Sequence, residues 1–256
     1  MEQQYIADLV SLRKGISHKN QNYWIERLAS ELPLVVAKAS GSVNPRKRGF
    51  NLDNPFRAQN FRTRNTCETE WEGWCLDKWS IRRDRKTSKP INGGWDRLVA
   101  RQVPLEIPQF QRNLFTADLL GIAADGYPVV IELKGHIKQS AVLALILQAL
   151  DYGIRLRESW VYFYKEWQEV LLKYNWPTVQ SYPHRVYLVC AAPSDVWKHE
   201  NSHRLAPNLT HYSQLKKTLD SCGFPLSLAS LSKRTINKTG LGIVAKKFDF
   251  KEAQEQ

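Results

Sequence analysis

The sequence predicts an α/β fold, and three segments carry that expectation. LFTADLLGIA and YPVVIEL, on either side of Ala124-Asp125-Gly126, read as the two strands of a hairpin. HIKQSAVLALILQALDYGIRLR is apolar almost all round and reads as a buried helix. RVYLVCAA (185–192) is a short continuous apolar run, the pattern of a strand covered on both faces. Strand, strand, helix and strand in that order make an α/β core between residues 95 and 195.

The remaining elements follow in chain order. The first forty residues read as helical. From Tyr23 to Leu32, the residues Trp24, Leu28 and Leu32, with Ile25 and Ala29, form one stripe that ends before Pro33. GSVNPRKRGFNLDNPFRAQN has Pro, Gly and Asn punctuation and little periodicity, so it reads as a loop. Residues 66–80 suit a Trp-rich helix, and KTSKPINGG (86–94) is a linker candidate, which closes a helical and basic/aromatic region at 1–94. WDRLVARQ suggests a short helix and VPLEI a strand. SWVYFYKEWQEVLLKYNW, before the apolar run at 185–192, mixes aromatic and helical character. After Pro193 the chain turns polar, with a helix expected around Tyr212–Leu219 that ends near Gly223. Residues 196–256 are therefore expected as a C-terminal extension. No internal repeat is apparent.

Composition narrows the function classes. The chain has 256 residues, 37 Lys+Arg and 25 Asp+Glu, for a net charge of +12. Apolar residues at 43% and charged residues at 24% are ordinary for a globular protein and argue against disorder. No apolar run reaches the roughly 18 residues of a spanning helix, and MEQQYIADLVSLRKG has no signal-peptide pattern, so a cytoplasmic protein without membrane partners is expected. The four cysteines lie far apart with no CxxC pair, which favours reduced thiols. A strong positive balance suits a polyanion. It is concentrated between Pro45 and Lys89, where 12 Lys/Arg face six acids and alternate with Phe50, Phe56, Phe61, Trp71, Trp74 and Trp79. Arg46, Lys47, Arg48, Arg82, Arg83 and Arg85 are the candidate nucleic-acid contacts, since arginine with aromatics suits phosphate contact and base stacking. A solvated basic face over a small aromatic core is the equal alternative.

The candidate chemistry lies in the hairpin. Glu132 and Lys134 are two apart on a strand and share a face. A two-residue turn at Asp125-Gly126 would pair Asp118 with Leu133 and send the two carboxylates to opposite faces. A three-residue loop of Ala124, Asp125 and Gly126 pairs Ala123 with Tyr127 and Asp118 with Glu132, and Gly126 suits its left-handed position. Asp118, Glu132 and Lys134 then form one patch, with Val129, Ile131 and Leu133 on the other face. Two carboxylates can hold Mg²⁺, and a lysine beside them can position a water or neutralise a phosphate.

TADLLGIAADGYPVVIELKG resembles the core of the PD-(D/E)XK nuclease superfamily, which has an acid on one strand and (D/E)-x-K on the next. Gln148 and Tyr152 in LQALDYG, spaced i, i+4 on the following helix, resemble the Gln-xxx-Tyr motif of its RecB-like branch, and Arg155 lies at i+7. The resemblance covers residues 95–195. It implies a restriction endonuclease-like core, a mixed central sheet flanked by helices with N- and C-terminal extensions. It also implies a Mg²⁺-dependent deoxyribonuclease, with Mn²⁺ an alternative metal. Asp118 and Glu132 would be the metal ligands, Asp118, Glu132, Lys134, Gln148 and Tyr152 the catalytic residues, and Arg155 a further nucleic-acid contact. DNA is the implied partner. RNA, a homodimer, and a separate helicase or other repair, recombination or defence protein stay open. The proline that often precedes the first acid is replaced by Thr116-Ala117. A further glutamate often sits on the first core helix, and Glu68, Glu70, Glu72, Glu26, Glu31 and Asp96 are equal candidates for it. Two other functions stay open: an inactive nucleic-acid-binding protein of this fold, and a basic structural or interaction protein.

Other chemistries are set aside. His199, His203, His211 and Cys222 suggest zinc only weakly, since Glu200-Asn201-Ser202 lack helical packing residues and no Cys pair accompanies them. There is no Ser nucleophile elbow, Walker A loop or GxGxxG, so nucleotide hydrolysis within this chain is not expected.

Overall fold

The computed structural model describes residues 9–45, 52, 67–81, 95–105, 116–134, 141–176, 178, 183–200, 206–236 and 240–250. The described residues form a mixed α/β fold with one six-stranded sheet flanked by helices. The helices are α1 (Leu9–Gly15), α2 (Gln21–Ser42), α3 (Cys67–Trp79), α4 (Val142–Lys173), α5 (Ser194–Glu200) and α6 (Leu209–Ser221). The strands are β1 (Arg97–Pro104), β2 (Thr116–Ile122), β3 (Pro128–Leu133), β4 (Tyr187–Pro193), β5 (Leu226–Ile236) and β6 (Gly240–Phe248). They lie side by side in sequence order. β1, β2 and β3 form an antiparallel meander, β3, β4 and β5 run parallel, and β6 returns antiparallel to β5. The parallel step from β3 to β4 is made by α4, as a crossover requires.

The sheet separates two apolar layers. Leu120, Ile122, Val130, Leu188 and Cys190 face the larger layer, which includes the buried sides of α1, α2, α4 and α6. Leu119, Val129, Ile131, Leu133, Val189 and Ala191 face the smaller one, with Trp71, Cys75, Leu76 and Trp79 of α3 and with Trp95. β3 is buried at every position, because both of its faces are covered. Gly153 of α4 allows a close helix–sheet approach: a Cβ there would lie 2.7 Å from Leu188 Cδ2. Among the described residues, no helix is long and apolar enough to cross a membrane.

Four local expectations are corrected. α2 does not stop at Pro33 but runs on to Ser42, because Val35 and Val36 continue the buried stripe of Ile25, Leu28 and Leu32. WDRLVARQ is strand rather than helix. A bulge between Leu98 and Ala100 puts Leu98 in the smaller layer and Val99 and Ala100 in the larger, which erases the period-two signal. SWVYFYKEWQEVLLKYNW is not a separate element, since α4 continues through it to Lys173, with Trp160, Phe163 and Trp167 buried. The segment after 195 supplies α6 and also two strands of the same sheet. The proposed linker at 86–94 lies outside the described residues.

Candidate active site

The β2–β3 hairpin turns through Ala124, Asp125 and Gly126. Ala123 N–H donates to Tyr127 O at 2.9 Å, Gly126 N–H donates to Ala123 O at 2.9 Å, and Gly126 has φ +87°. The left-handed conformation that glycine adopts freely therefore falls where the three-residue loop needs it. Leu119 pairs with Ile131 and Leu120 with Val130, so Asp118 stands opposite Glu132. Period two then sends Asp118, Glu132 and Lys134 to the face of Leu120 and Val130, toward α4.

The open end of this hairpin is charged and enclosed. Glu132 is fully buried, and its Oε1 accepts from Lys134 Nζ at 2.7 Å. Its Oε2 has no hydrogen-bond partner. Asp118 Oδ2 accepts from Leu133 N–H at 2.9 Å, fastening β2 to the end of β3. Burial, and then the neighbouring Asp118 carboxylate, hold the Glu132 carboxyl well above its ordinary range, while Lys134 acts the other way. Cys190 lies beside Glu132 on β4, and its thiol is also pushed up, by burial and then by Glu132.

α4 brings Gln148 and Tyr152 to the same place. Gln148 Nε2 donates to the Tyr152 hydroxyl at 3.2 Å. Burial pushes that phenol up to about 12, with Glu132 and then Asp118 adding to the rise, so Tyr152 stands within electrostatic reach of both carboxylates and keeps its proton. Arg13 of α1 acts on the same hydroxyl in the opposite sense. Arg155, one turn further along, is buried and donates to Asp151 at 3.1 Å. It is thus placed in an internal ion pair rather than on a surface presented to phosphate.

Of the six acids considered for completing the site, Glu72 is linked to Asp118 through Gln102. Glu72 of α3, only 4% exposed, accepts from Gln102 Nε2 at 2.9 Å, and the same nitrogen lies 3.5 Å from Asp118 Oδ1. Glu31 pairs with Arg27, Glu26 lies against His211, and Asp96 receives Arg97. The side chains of Glu68 and Glu70 lie outside the described residues, as do Arg46, Lys47, Arg48, Arg82, Arg83, Arg85, His203 and the side chain of His199. Sequence reasoning missed Gln102 and Arg13. Gln102 has φ +50°, a conformation its residue type does not advertise.

A divalent cation fits this end of the hairpin on one observation, the buried Glu132 oxygen without a partner beside a second carboxylate. Among the described residues, no three His, Cys, Asp or Glu side chains form a ready-made cage. Mg²⁺ does not need one, since it keeps several waters and is held through one or two carboxylates. No protein-family model, curated protein or solved structure matches this chain.

Proposed function

We propose that this protein is a metal-dependent nuclease that hydrolyses phosphodiester bonds, with DNA as the favoured substrate and a PD-(D/E)XK-like core around the β2–β3 hairpin. The observation that carries this reading is the buried Glu132, tied to Lys134 through one oxygen and left with the other unpartnered beside Asp118. The order in which the motif residues occur also supports it: Asp118 on β2, Glu132 and Lys134 at the end of β3, then Gln148 and Tyr152 on α4, then β4.

Asp118 and Glu132 are the residues that would hold Mg²⁺ or Mn²⁺. When bound, the ion supplies Lewis-acid stabilisation of phosphate charge and a more acidic water. Lys134 holds Glu132 in place and, with a quarter of its side chain exposed, carries positive charge to the mouth of the site. Gln148 and the neutral Tyr152 hydroxyl supply uncharged hydrogen-bonding groups beside the carboxylates, suited to orienting a water or a phosphate oxygen. The basic, aromatic stretch between Pro45 and Lys89 matches a phosphate backbone with bases to stack on.

The test is incubation of the purified protein with a plasmid, a linear duplex and a branched duplex, in Mg²⁺, in Mn²⁺ and in EDTA. Metal-dependent cleavage of any of them is the expected result. Binding without cleavage in either metal would make this an inactive nucleic-acid-binding protein. Absence of both would make it a basic interaction protein.

A further inference from the structure

We propose that Gln102 is a positioning residue for the cation site, steadying the Asp118 carboxylate by tying it to Glu72 of α3. This rests on the nuclease reading and extends it to a residue outside the hairpin. The placement begins with register. Arg101 pairs with Leu119 and Val103 with Ala117, so Gln102 stands across from Asp118. Its backbone is left-handed, at φ +50°, in the middle of a strand. A non-glycine residue persists in that region only where its surroundings hold it there, and such positions gather at functional sites.

The side chain shows what holds it. A carboxamide has one end that donates and one that accepts, and both neighbours here are carboxylates. Only the NH₂ can face them, and Nε2 lies 2.9 Å from Glu72 Oε1 and 3.5 Å from Asp118 Oδ1. Glu72 is buried, although it lies on the helix that otherwise packs tryptophans against the opposite face of the sheet. The independent pointer to a ligand is Glu132 Oε2, fully buried, without a hydrogen-bond partner and against Asp118. Groups that orient metal-binding carboxylates commonly change metal affinity by about 10–100-fold when removed.

The experiment measures Mn²⁺ affinity by calorimetry and by the loss of the free-ion paramagnetic resonance signal. It compares the intact chain with Glu132→Gln, Gln102→Met, Glu72→Gln and the Gln102→Met/Glu72→Gln double variant. Gln102→Met keeps the length of the side chain and removes the donor. The expected result is tight binding by the wild type, loss of binding in Glu132→Gln, and affinities about 10–100-fold lower for Gln102→Met and Glu72→Gln. The double variant should be little worse than either single one, because the two residues act through one link. The thermal midpoint in EDTA should move far less than the affinity, which a merely structural glutamine would not produce. Wild-type affinity in Gln102→Met, while Glu132→Gln loses it, overturns the role of Gln102 and leaves the nuclease reading standing. If Gln102→Met does not fold, Glu72→Gln decides alone, and wild-type affinity there overturns the proposal. A wild type that binds no Mn²⁺ overturns both.

Discussion

Glu132–Lys134 and Asp151–Arg155 are both acid–base pairs built on a buried carboxylate, the first at the end of β3 and the second along α4. In the second pair no buried polar atom lacks a partner, and both members lie one turn apart on the same helix. In the first, one carboxylate oxygen is satisfied and the other is not, and a second carboxylate stands beside it. The difference separates two uses of buried charge. A fully bonded pair fixes structure, whereas a half-bonded one leaves part of its desolvation without compensation, and it is there that the proposed cation would act.

The largest expected contrast comes from deleting one member of each pair. Glu132→Ala is expected to abolish metal-dependent cleavage while circular dichroism and most nucleic-acid affinity stay as in the wild type. Wild-type cutting in Mg²⁺ would show that the site lies elsewhere. Lys134→Ala should also lose turnover but retain metal binding, and loss of both would make Lys134 structural. Arg155→Ala should do the opposite. It removes the arginine paired with a buried carboxylate and costs about 3–5 kcal/mol of stability, read from denaturant midpoints, and the protein that stays folded should keep its activity. A folded Arg155→Ala with no activity would move Arg155 into the site.

A smaller effect is expected on α4. Gln148→Ala should lower the cleavage rate by about ten- to a thousandfold with little change in melting, since one positioned hydrogen bond is worth a few kcal/mol in a transition state. Tyr152→Phe should cost less than that, because the buried ring keeps its packing. A rate unchanged in Gln148→Ala would detach the helix motif from the chemistry.

The smallest effect is in the pH dependence of stability without metal. The folded chain holds the Glu132 proton well above the ordinary value of 4.5 at which the unfolded chain releases it. The stability this provides is whole below about 4.5 and is lost as the pH rises through the folded value. Glu132→Gln lacks that loss. Its melting temperature in EDTA should therefore gain on the wild type as the pH rises toward neutrality, and Mg²⁺ should close the gap by stabilising only the wild type. A constant difference at every pH would mean that Glu132 releases its proton at the same pH in the folded and the unfolded chain.

The hairpin was legible in the sequence because a strand's period of two and a three-residue loop leave one register that aligns Asp118, Glu132 and Lys134. Gln148 and Tyr152 were legible because four residues make about one helical turn. Glu72 was not separable from its neighbours, since its place depends on how α3 docks against β1, a contact between residues thirty apart in the chain. Gln102 was hidden twice, by a bulge that blurred β1 into a helical pattern and by a backbone conformation that no residue pattern announces. β5 was hidden by composition: LSLASLSKRTI is rich in serine, yet Leu226, Leu228, Ala229 and Leu231 are buried.

The position of β5 bears on how this chain is made. β4 is a central strand only once β5 and β6 have paired beside it, and those strands come from residues 226–248. During synthesis, the meander, α4 and β4 can assemble first. Until the later strands emerge from the ribosome, the edge of Leu188, Val189, Cys190 and Ala191 stays open, an apolar row with unpaired backbone groups. That interval is the point in the life of this protein at which strand addition by a neighbouring nascent chain competes most strongly with its own folding.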